Sequence, residues 1–117
     1  MEKIVAQGLL YDFYGELLTA HQRQIYEGIV YENLSLGEIA EEFGITRQGV
    51  HDIVKRCDKA LSEYEEKLQL VSKFMRIKER IGKIEQLTTL YEQDSCSDKK
   101  AYCGKLRQLS EEILNEL

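Results

Sequence analysis

Apolar residues recur at intervals of three and four along most of the chain, which is the spacing of amphipathic helices. Residues 4–18 show this spacing, and residues 20–31 show it again after Thr19, a residue type that often caps a helix. The chain contains no proline, the residue that most strongly interrupts helices. The pattern therefore predicts an all-α protein that begins with two helices.

The stretch LSLGEIAEEFGITRQGVHDIVKR, residues 34–56, predicts two further helices separated by a tight turn. Ser35 and Glu38 have the spacing of a capping box, in which each side chain accepts a hydrogen bond from a backbone N–H at the other end of the turn. Gly44 suits the left-handed conformation that ends a helix, and Thr46 can cap the next one. The third helix is therefore predicted between Ser35 and Gly44, and no stop signal follows the start of the fourth.

These two helices have the packing residues of a helix-turn-helix. The motif needs a small side chain where its helices cross, a glycine-like turn, and an apolar residue on the second helix. Ala40, Gly44 and Val50 stand at the matching positions. The remaining core positions are also apolar: Leu36, Ile39, Phe43, Ile45, Ile53 and Val54. We therefore predict a helix-turn-helix domain over residues 1–60.

The start of the fourth helix presents polar side chains of the types that contact DNA. Arg can pair with guanine and Gln with adenine, a glycine lets a backbone approach closely, and Lys or Arg can bind phosphates. The candidate nucleic-acid-binding residues are Thr46, Arg47, Gln48, Gly49, His51, Lys55 and Arg56. A solvated polar surface, which most helices have, is the alternative interpretation.

The charge balance limits the expected affinity for nucleic acid, because non-specific binding comes mostly from cations that neutralise phosphates. The chain has a formal net charge of −5, and residues 1–60 hold 6 basic against 10 acidic side chains. Asp52 and the acidic third helix oppose phosphate binding. We therefore expect one isolated domain to bind weakly and a dimer to bind better.

A second basic segment, KFMRIKERIGK at residues 73–83, carries five cations and one carboxylate. Its cations alternate with apolar residues, so the segment has one basic and one apolar face. The predicted secondary basic surface consists of Lys73, Arg76, Lys78, Arg80 and Lys83. The alternative is the solvated flank of a coiled coil.

Residues 61–117 are predicted to form a helical extension that serves for dimerisation or folds as a coiled-coil hairpin. An apolar stripe runs along residues 61–91 for about four heptads, with one slip of register near Phe74. A polar loop follows the stripe, and a last helix is predicted to begin at Ser97 or Asp98. This helix either folds back on the stripe or pairs with it across a dimer.

The sequence lacks the patterns of a catalytic or metal-binding site. Cys57, Cys96 and Cys103 have neither zinc-ligand nor disulfide-framework spacing, and His21 and His51 stand alone. We predict that the protein is not an enzyme and uses no metal and no cofactor. No apolar run is long enough to span a membrane or to form the core of a signal peptide, so we expect a soluble, cytoplasmic protein.

The motif and the sequence before it resemble the YlxM family of small bacterial proteins. The stretch LLYDFYGELLTAHQRQIYEGIVYENLSLGEIAEEFGITRQGV is similar to the family pattern, and the resemblance weakens after about residue 85. It implies a fold that is winged-helix-like or similar to the sigma-factor region that binds the upstream promoter element. It also implies a cytoplasmic DNA-binding regulator that is encoded beside components of the signal recognition particle, with Arg47, Gln48 and His51 in the recognition positions.

Two functions therefore remain open at this point. The first is a homodimeric DNA-binding regulator of transcription. The second is an accessory protein that binds the RNA or the GTPase of the signal recognition particle, and for this function the secondary basic surface is the candidate site.

Overall fold

The computed structural model describes residues 2–93 and 98–117, which form α-helices and one short 3₁₀ turn. The helices of these residues are α1 (Lys3–Tyr14), α2 (Ala20–Val30), α3 (Leu36–Phe43), α4 (Arg47–Leu68), α5 (Leu70–Gln93) and α6 (Lys99–Glu116). No residue in the described part of the chain lies in a β-strand. The all-α prediction is therefore confirmed, and the winged-helix-like expectation does not hold for these residues because a wing is made of strands.

Side-chain caps and one glycine define the ends of α2 and α3. The Ser35 hydroxyl accepts a hydrogen bond from the Glu38 backbone N–H at 3.1 Å, and the Glu38 carboxylate accepts one from the Ser35 N–H at 3.2 Å. Thr19 caps α2 in the same way. Gly44 follows α3 with a φ of 67°, which a residue with a Cβ rarely adopts. The predicted start and end of α3 are confirmed.

The first helix is shorter than its apolar pattern indicated. It ends at Tyr14, and Gly15–Leu17 form a 3₁₀ turn. The ring of Tyr11 lies so close to Gly15 that a Cβ added to the glycine would be 2.7 Å from a ring carbon. The buried Tyr11 ring therefore packs directly on the backbone where the chain tightens, and the continuous helix predicted through residue 18 is wrong.

The long helix expected after the turn is interrupted at Gln69, which has a left-handed φ of 54° and separates α4 from α5. The Leu70 N–H donates to the Tyr14 hydroxyl and the Val71 N–H donates to the Glu65 carboxylate, each at 3.0 Å. The Tyr14 hydroxyl in turn donates to Glu65 at 2.5 Å. Because these groups satisfy the first N–H groups of α5, the predicted register slip near Phe74 is replaced by a capped break before it.

The chain divides into an N-terminal unit, Met1–Val71, and a C-terminal unit, Ser72–Leu117. The division lies further along the chain than the domain boundary predicted at residue 60. Leu61 is fully buried in the N-terminal unit, and Tyr64 and Val71 pack against the same core. The first part of the predicted apolar stripe therefore belongs to the N-terminal core.

Helix α4 contributes to both hydrophobic clusters of the N-terminal unit. The motif cluster consists of Ile25, Ile39, Ala40 and Val50. The tyrosine cluster consists of Tyr11, Tyr14, Leu18, Tyr26, Cys57 and Leu61. Val50, Cys57 and Leu61 are spaced by seven and four residues, so they lie on one face of α4. The packing of that face leaves the other side of α4 exposed.

The C-terminal unit is a hairpin of α5 and α6. Tyr91, near the end of α5, and Tyr102, near the start of α6, pack edge to face with ring centres 5.3 Å apart. Asp98 caps α6 by accepting hydrogen bonds from the Lys100 and Ala101 N–H groups. The prediction that Asp98 starts the last helix is confirmed, whereas the alternative start, Ser97, lies outside the described residues.

We expect Ala40→Leu to lower the free energy of unfolding by about 1–3 kcal/mol, because extra methyl groups at a packed helix crossing force the helices apart. Ala40 is 7% exposed and lies in the motif cluster. Urea unfolding followed by circular dichroism measures the change. Ala101→Leu, at an exposed position on α6, is the control. Equal midpoints for both variants would contradict close packing at Ala40.

We expect Tyr14→Phe to lower the free energy of unfolding by about 1–3 kcal/mol, because it removes the hydroxyl shared by Glu65 and the Leu70 N–H. Tyr64→Phe is the matched control, since the Tyr64 ring packs beside Tyr14 and its hydroxyl has no hydrogen-bond partner among the described residues. Urea unfolding again measures the loss. A Tyr14→Phe protein as stable as Tyr64→Phe would show that the capped break contributes little.

Candidate nucleic-acid interface

The first turns of α4 carry the predicted nucleic-acid-binding residues on the protein surface. Gly49 is half-buried, and the other candidates are exposed: Thr46, Arg47, Gln48, His51, Lys55 and Arg56. Val50, on the opposite side of the helix, is fully buried in the motif cluster. The core therefore holds the candidate residues outward on a helix whose rotation about its own axis is set by packing.

The N-terminus of α4 is closed by Thr46. Its hydroxyl accepts a hydrogen bond from the Gly49 N–H at 2.9 Å. A Cβ added at Gly49 would lie 3.1 Å from the same hydroxyl oxygen, closer than most Cβ contacts. The cap therefore explains, from contacts within the chain, why a glycine suits position 49. The predicted approach of a nucleic-acid backbone is a second explanation.

Arg47 begins α4 beside the first turn of α3. A Cβ built on Gly37 would lie 3.8 Å from the Arg47 Cδ atom, so the arginine stem passes close to that turn. No other side chain in the described part of the chain forms a hydrogen bond or ion pair with the Arg47 guanidinium. Its planar set of N–H donors is exposed and matches acceptors such as guanine O6 and N7 or a phosphate.

Asp52 lies on the same surface and contacts two of the candidates. Its Oδ1 atom accepts a hydrogen bond from Gln48 Nε2 at 2.9 Å and lies 3.6 Å from His51 Nδ1. The side chains of His51 and Asp52 are 46% and 56% exposed. Gln48 therefore keeps one amide hydrogen and its carbonyl oxygen for an outside partner, while the carboxylate next to it repels phosphates.

The second acidic residue of this region, Asp58, is engaged inside the N-terminal unit. Its Oδ1 atom accepts hydrogen bonds from the Tyr26 hydroxyl at 2.5 Å and from Gln7 Nε2 at 2.9 Å. Burial, together with this carboxylate, raises the pKa of Tyr26, so the hydroxyl stays a donor at neutral pH. Asp58 thus connects α1, α2 and α4, and its Oδ1 atom is occupied by these two donors.

Lys59 belongs to the basic stretch of α4, although it is not among the candidate residues named from the sequence. It is exposed and lies eleven residues, three helical turns, after Gln48, which places it on the same face of α4. Helical periodicity applied to the whole of α4 would have found it. It extends the positive part of the surface that begins with Lys55 and Arg56.

Carboxylates of α6 neutralise much of the secondary basic surface. Arg76 Nε lies 2.8 Å from a Glu116 oxygen, and Arg80 Nε lies 3.0 Å from a Glu112 oxygen. The hydrogen bond from Arg76 lowers the pKa of Glu116 below its ordinary value, so this pair is ionised at neutral pH. Both arginines therefore hold the hairpin together, which sequence spacing did not indicate.

The three lysines of the secondary basic surface are more exposed than its arginines. Lys83 Nζ lies 3.6 Å from a carboxylate oxygen of Glu79, one turn earlier in α5. Lys78 Nζ lies 6.0 Å from the centre of the Phe74 ring, at the edge of an apolar area. Among the described residues, Lys73 and Lys78 are therefore the cations of the segment that form no ion pair.

The cysteines and the potential metal ligands of the described residues do not come together in a site. Cys57 is fully buried, and this burial raises the pKa of its thiol to about 11, so the thiol is protonated and unreactive at neutral pH. Cys103 is an exposed free thiol, and Cys96 lies outside the described residues. Within residues 2–93 and 98–117, no group of three His, Cys, Asp or Glu side chains is arranged to hold a metal ion. None of the helices in these two ranges combines the length and the hydropathy of a membrane span.

Known proteins are similar in sequence to this chain over most of its length. Residues 1–101 match the family described as "UPF0122: Putative helix-turn-helix protein, YlxM / p13 like". A UPF0122 protein of Desulforamulus reducens is 49% identical over 84 residues, which are 72% of this chain and 72% of that protein. UPF0122 proteins of Bacillus cereus and Bacillus anthracis are 46% identical over 87 residues, which are 74% of this chain and 79% of theirs. The chain therefore belongs to the UPF0122 family of helix-turn-helix proteins.

Proposed function

We propose that this protein binds duplex DNA through the N-terminal half of α4 and acts as a regulator of transcription. The observation that carries the proposal is the orientation of α4, whose buried face fills two core clusters while its exposed face presents side chains of the types that read bases and bind phosphates. A helix presented in this way by the preceding helix of a helix-turn-helix fits the major groove of B-DNA.

The residues divide into two roles along the helix. Arg47 and Gln48, at the first turn, are the proposed base-reading pair, because the N-terminal residues of a recognition helix approach base edges. Lys55, Arg56 and Lys59 lie further along α4 and are proposed to contact phosphates, which position the protein without selecting sequence. His51 lies between the two groups.

We propose that the protein binds DNA as a homodimer. The acidic side chains of α3, Glu38, Glu41 and Glu42, are exposed next to the proposed interface. They repel phosphates, so one domain binds weakly and strongly salt-dependently. Two linked domains on adjacent half-sites raise the affinity by orders of magnitude without any new contact in either domain.

RNA of the signal recognition particle is the alternative ligand, and the family resemblance is its support. The surface proposed for it is weakened by the pairing of Arg76 and Arg80 with carboxylates of α6. A carboxylate beside an arginine offsets its positive charge and repels a phosphate that approaches the same guanidinium. Duplex DNA bound at α4 is therefore the function that the geometry favours.

If Arg47 and Gln48 read bases, replacing both with alanine should weaken binding to a selected duplex. A duplex is first selected from a randomised library with the wild-type protein, and its affinity is then measured by fluorescence anisotropy at two salt concentrations. Losing a good bidentate base contact costs about 1–3 kcal/mol, so we expect affinity to fall by at least about tenfold. The unfolding midpoint should stay unchanged because both side chains are exposed.

The control is Arg107→Ala/Gln108→Ala, which changes the same dipeptide at exposed positions of α6, where Gln108 donates to a carboxylate four residues later as Gln48 does. It removes the same charge and the same kind of surface contact away from α4, so it reports the contribution of net charge. Equal losses in the two double variants would contradict base reading by α4. Selection of no duplex, together with binding of signal recognition particle RNA, would favour the alternative function.

Asp52→Asn should raise affinity for unselected duplex DNA, because it removes a carboxylate from the interface and keeps a side chain that can still accept from Gln48. We expect a gain of roughly two- to fivefold at low salt that shrinks as salt increases. Glu16→Gln, an exposed position in the 3₁₀ turn after α1, is the control for charge alone. A gain as large in Glu16→Gln would show that Asp52 does not face DNA.

A further inference from the structure

The C-terminal hairpin has very little hydrophobic core of its own. Leu109 is the one buried residue in the described part of this unit. Several large apolar side chains are instead exposed: Phe74, Met75, Ile81, Leu90, Leu114 and Leu117. Small helical units with so little buried surface are usually stabilised by association with another chain.

The two sides of the hairpin differ in polarity. One groove between α5 and α6 is lined by both polar and apolar side chains, among them Lys83, Gln86, Leu90 and Gln108. The groove on the other side is mostly apolar, and it is lined by Leu87, Thr88, Tyr91, Tyr102, Cys103 and Leu106. A hairpin with one apolar side has the pattern of half a four-helix bundle.

The apolar side continues along both helices beyond this groove. Ile81 precedes Thr88 by seven residues, two helical turns, and Leu117 follows Leu106 by eleven residues, three turns. Ile81 is 46% exposed and Leu117 is 84% exposed. The apolar face therefore extends from the groove toward the start of α5 and the end of α6.

We propose that this apolar face is covered by the same face of a second copy of the chain, with the two α5 helices antiparallel, so that two hairpins form a four-helix bundle. The inference rests on the homodimer in the proposed function and names the surface that forms it. A two-fold axis perpendicular to the helices relates the copies, which makes the contact closed and symmetric.

The charges at the border of the apolar face favour a second copy of the chain as the binding partner. Lys78 and Glu85 are exposed, seven residues apart, on either side of Ile81 in sequence. The position of Lys78 near the Phe74 ring places it at the edge of the apolar face. In an antiparallel pair centred near Ile81, Lys78 lies beside the partner subunit's Glu85, and the symmetry repeats the pair. A parallel pair would instead place like charges at the same level.

Sedimentation equilibrium of the full chain without DNA tests the surface. Ile81→Ser should weaken the dimer by roughly a hundredfold, because it removes two large apolar side chains, one per copy, from the centre of the contact. Leu90→Ser is the matched control, because Leu90 is 52% exposed on the same helix but lines the groove of mixed polarity on the other side of the hairpin. It should leave the dimer dissociation constant within about twofold.

A charge reversal tests the antiparallel register. Lys78→Glu and Glu85→Lys should each weaken the dimer by roughly tenfold, since each creates two like-charge contacts, and the double variant should restore it. Failure of the double variant to recover would overturn the register. A dimer weakened by Leu90→Ser and not by Ile81→Ser would overturn the surface.

The results of these experiments distinguish a failure of the proposed bundle from a failure of the proposed DNA binding. A protein that remains monomeric yet binds its selected duplex overturns the bundle and leaves the role of α4 standing. A dimer with the expected response to Ile81→Ser that selects no duplex supports the bundle and removes the proposed DNA function. A monomer without DNA binding overturns both.

Discussion

The packing of one face of α4 is the interaction on which the rest of the N-terminal unit depends. Val50 fills the motif cluster and Cys57 and Leu61 fill the tyrosine cluster, so α3, α2 and α1 are all positioned against this helix. Rotation of α4 would expose these residues, each of which has no solvent exposure. The direction in which Arg47 and Gln48 point is therefore a consequence of core packing.

Polar contacts around the tyrosine cluster add specificity to this packing. The hydroxyls of Tyr14 and Tyr26 each donate to a carboxylate on α4, Glu65 and Asp58. Such bonds depend on direction, and a buried donor left without its acceptor costs free energy. They therefore favour one rotation of α4, and the Glu65 contact also secures the start of α5. Apolar packing alone tolerates more variation in helix position.

Local sequence signals predicted the motif well because its determinants are local. The Ser35 and Glu38 capping box and Gly44 act within one or two turns, and the structure has them as expected. The features that were missed depend on contacts distant in sequence. The break at Gln69 is supported by Tyr14, more than fifty residues earlier, and Arg76 and Arg80 are paired with carboxylates of α6. Periodicity indicates which face of a helix is apolar, but it does not identify the element that covers that face.

Amide chemical-shift mapping tests whether the N-terminal half of α4 is the surface that binds duplex DNA, as we propose. Isotopically labelled protein is titrated with a duplex selected from a randomised library. We expect the largest shifts between Thr46 and Lys59, with small shifts in the segment from Lys73 to Lys83. Large shifts confined to the second segment would overturn the proposed interface and would make the helix-turn-helix a scaffold for another surface.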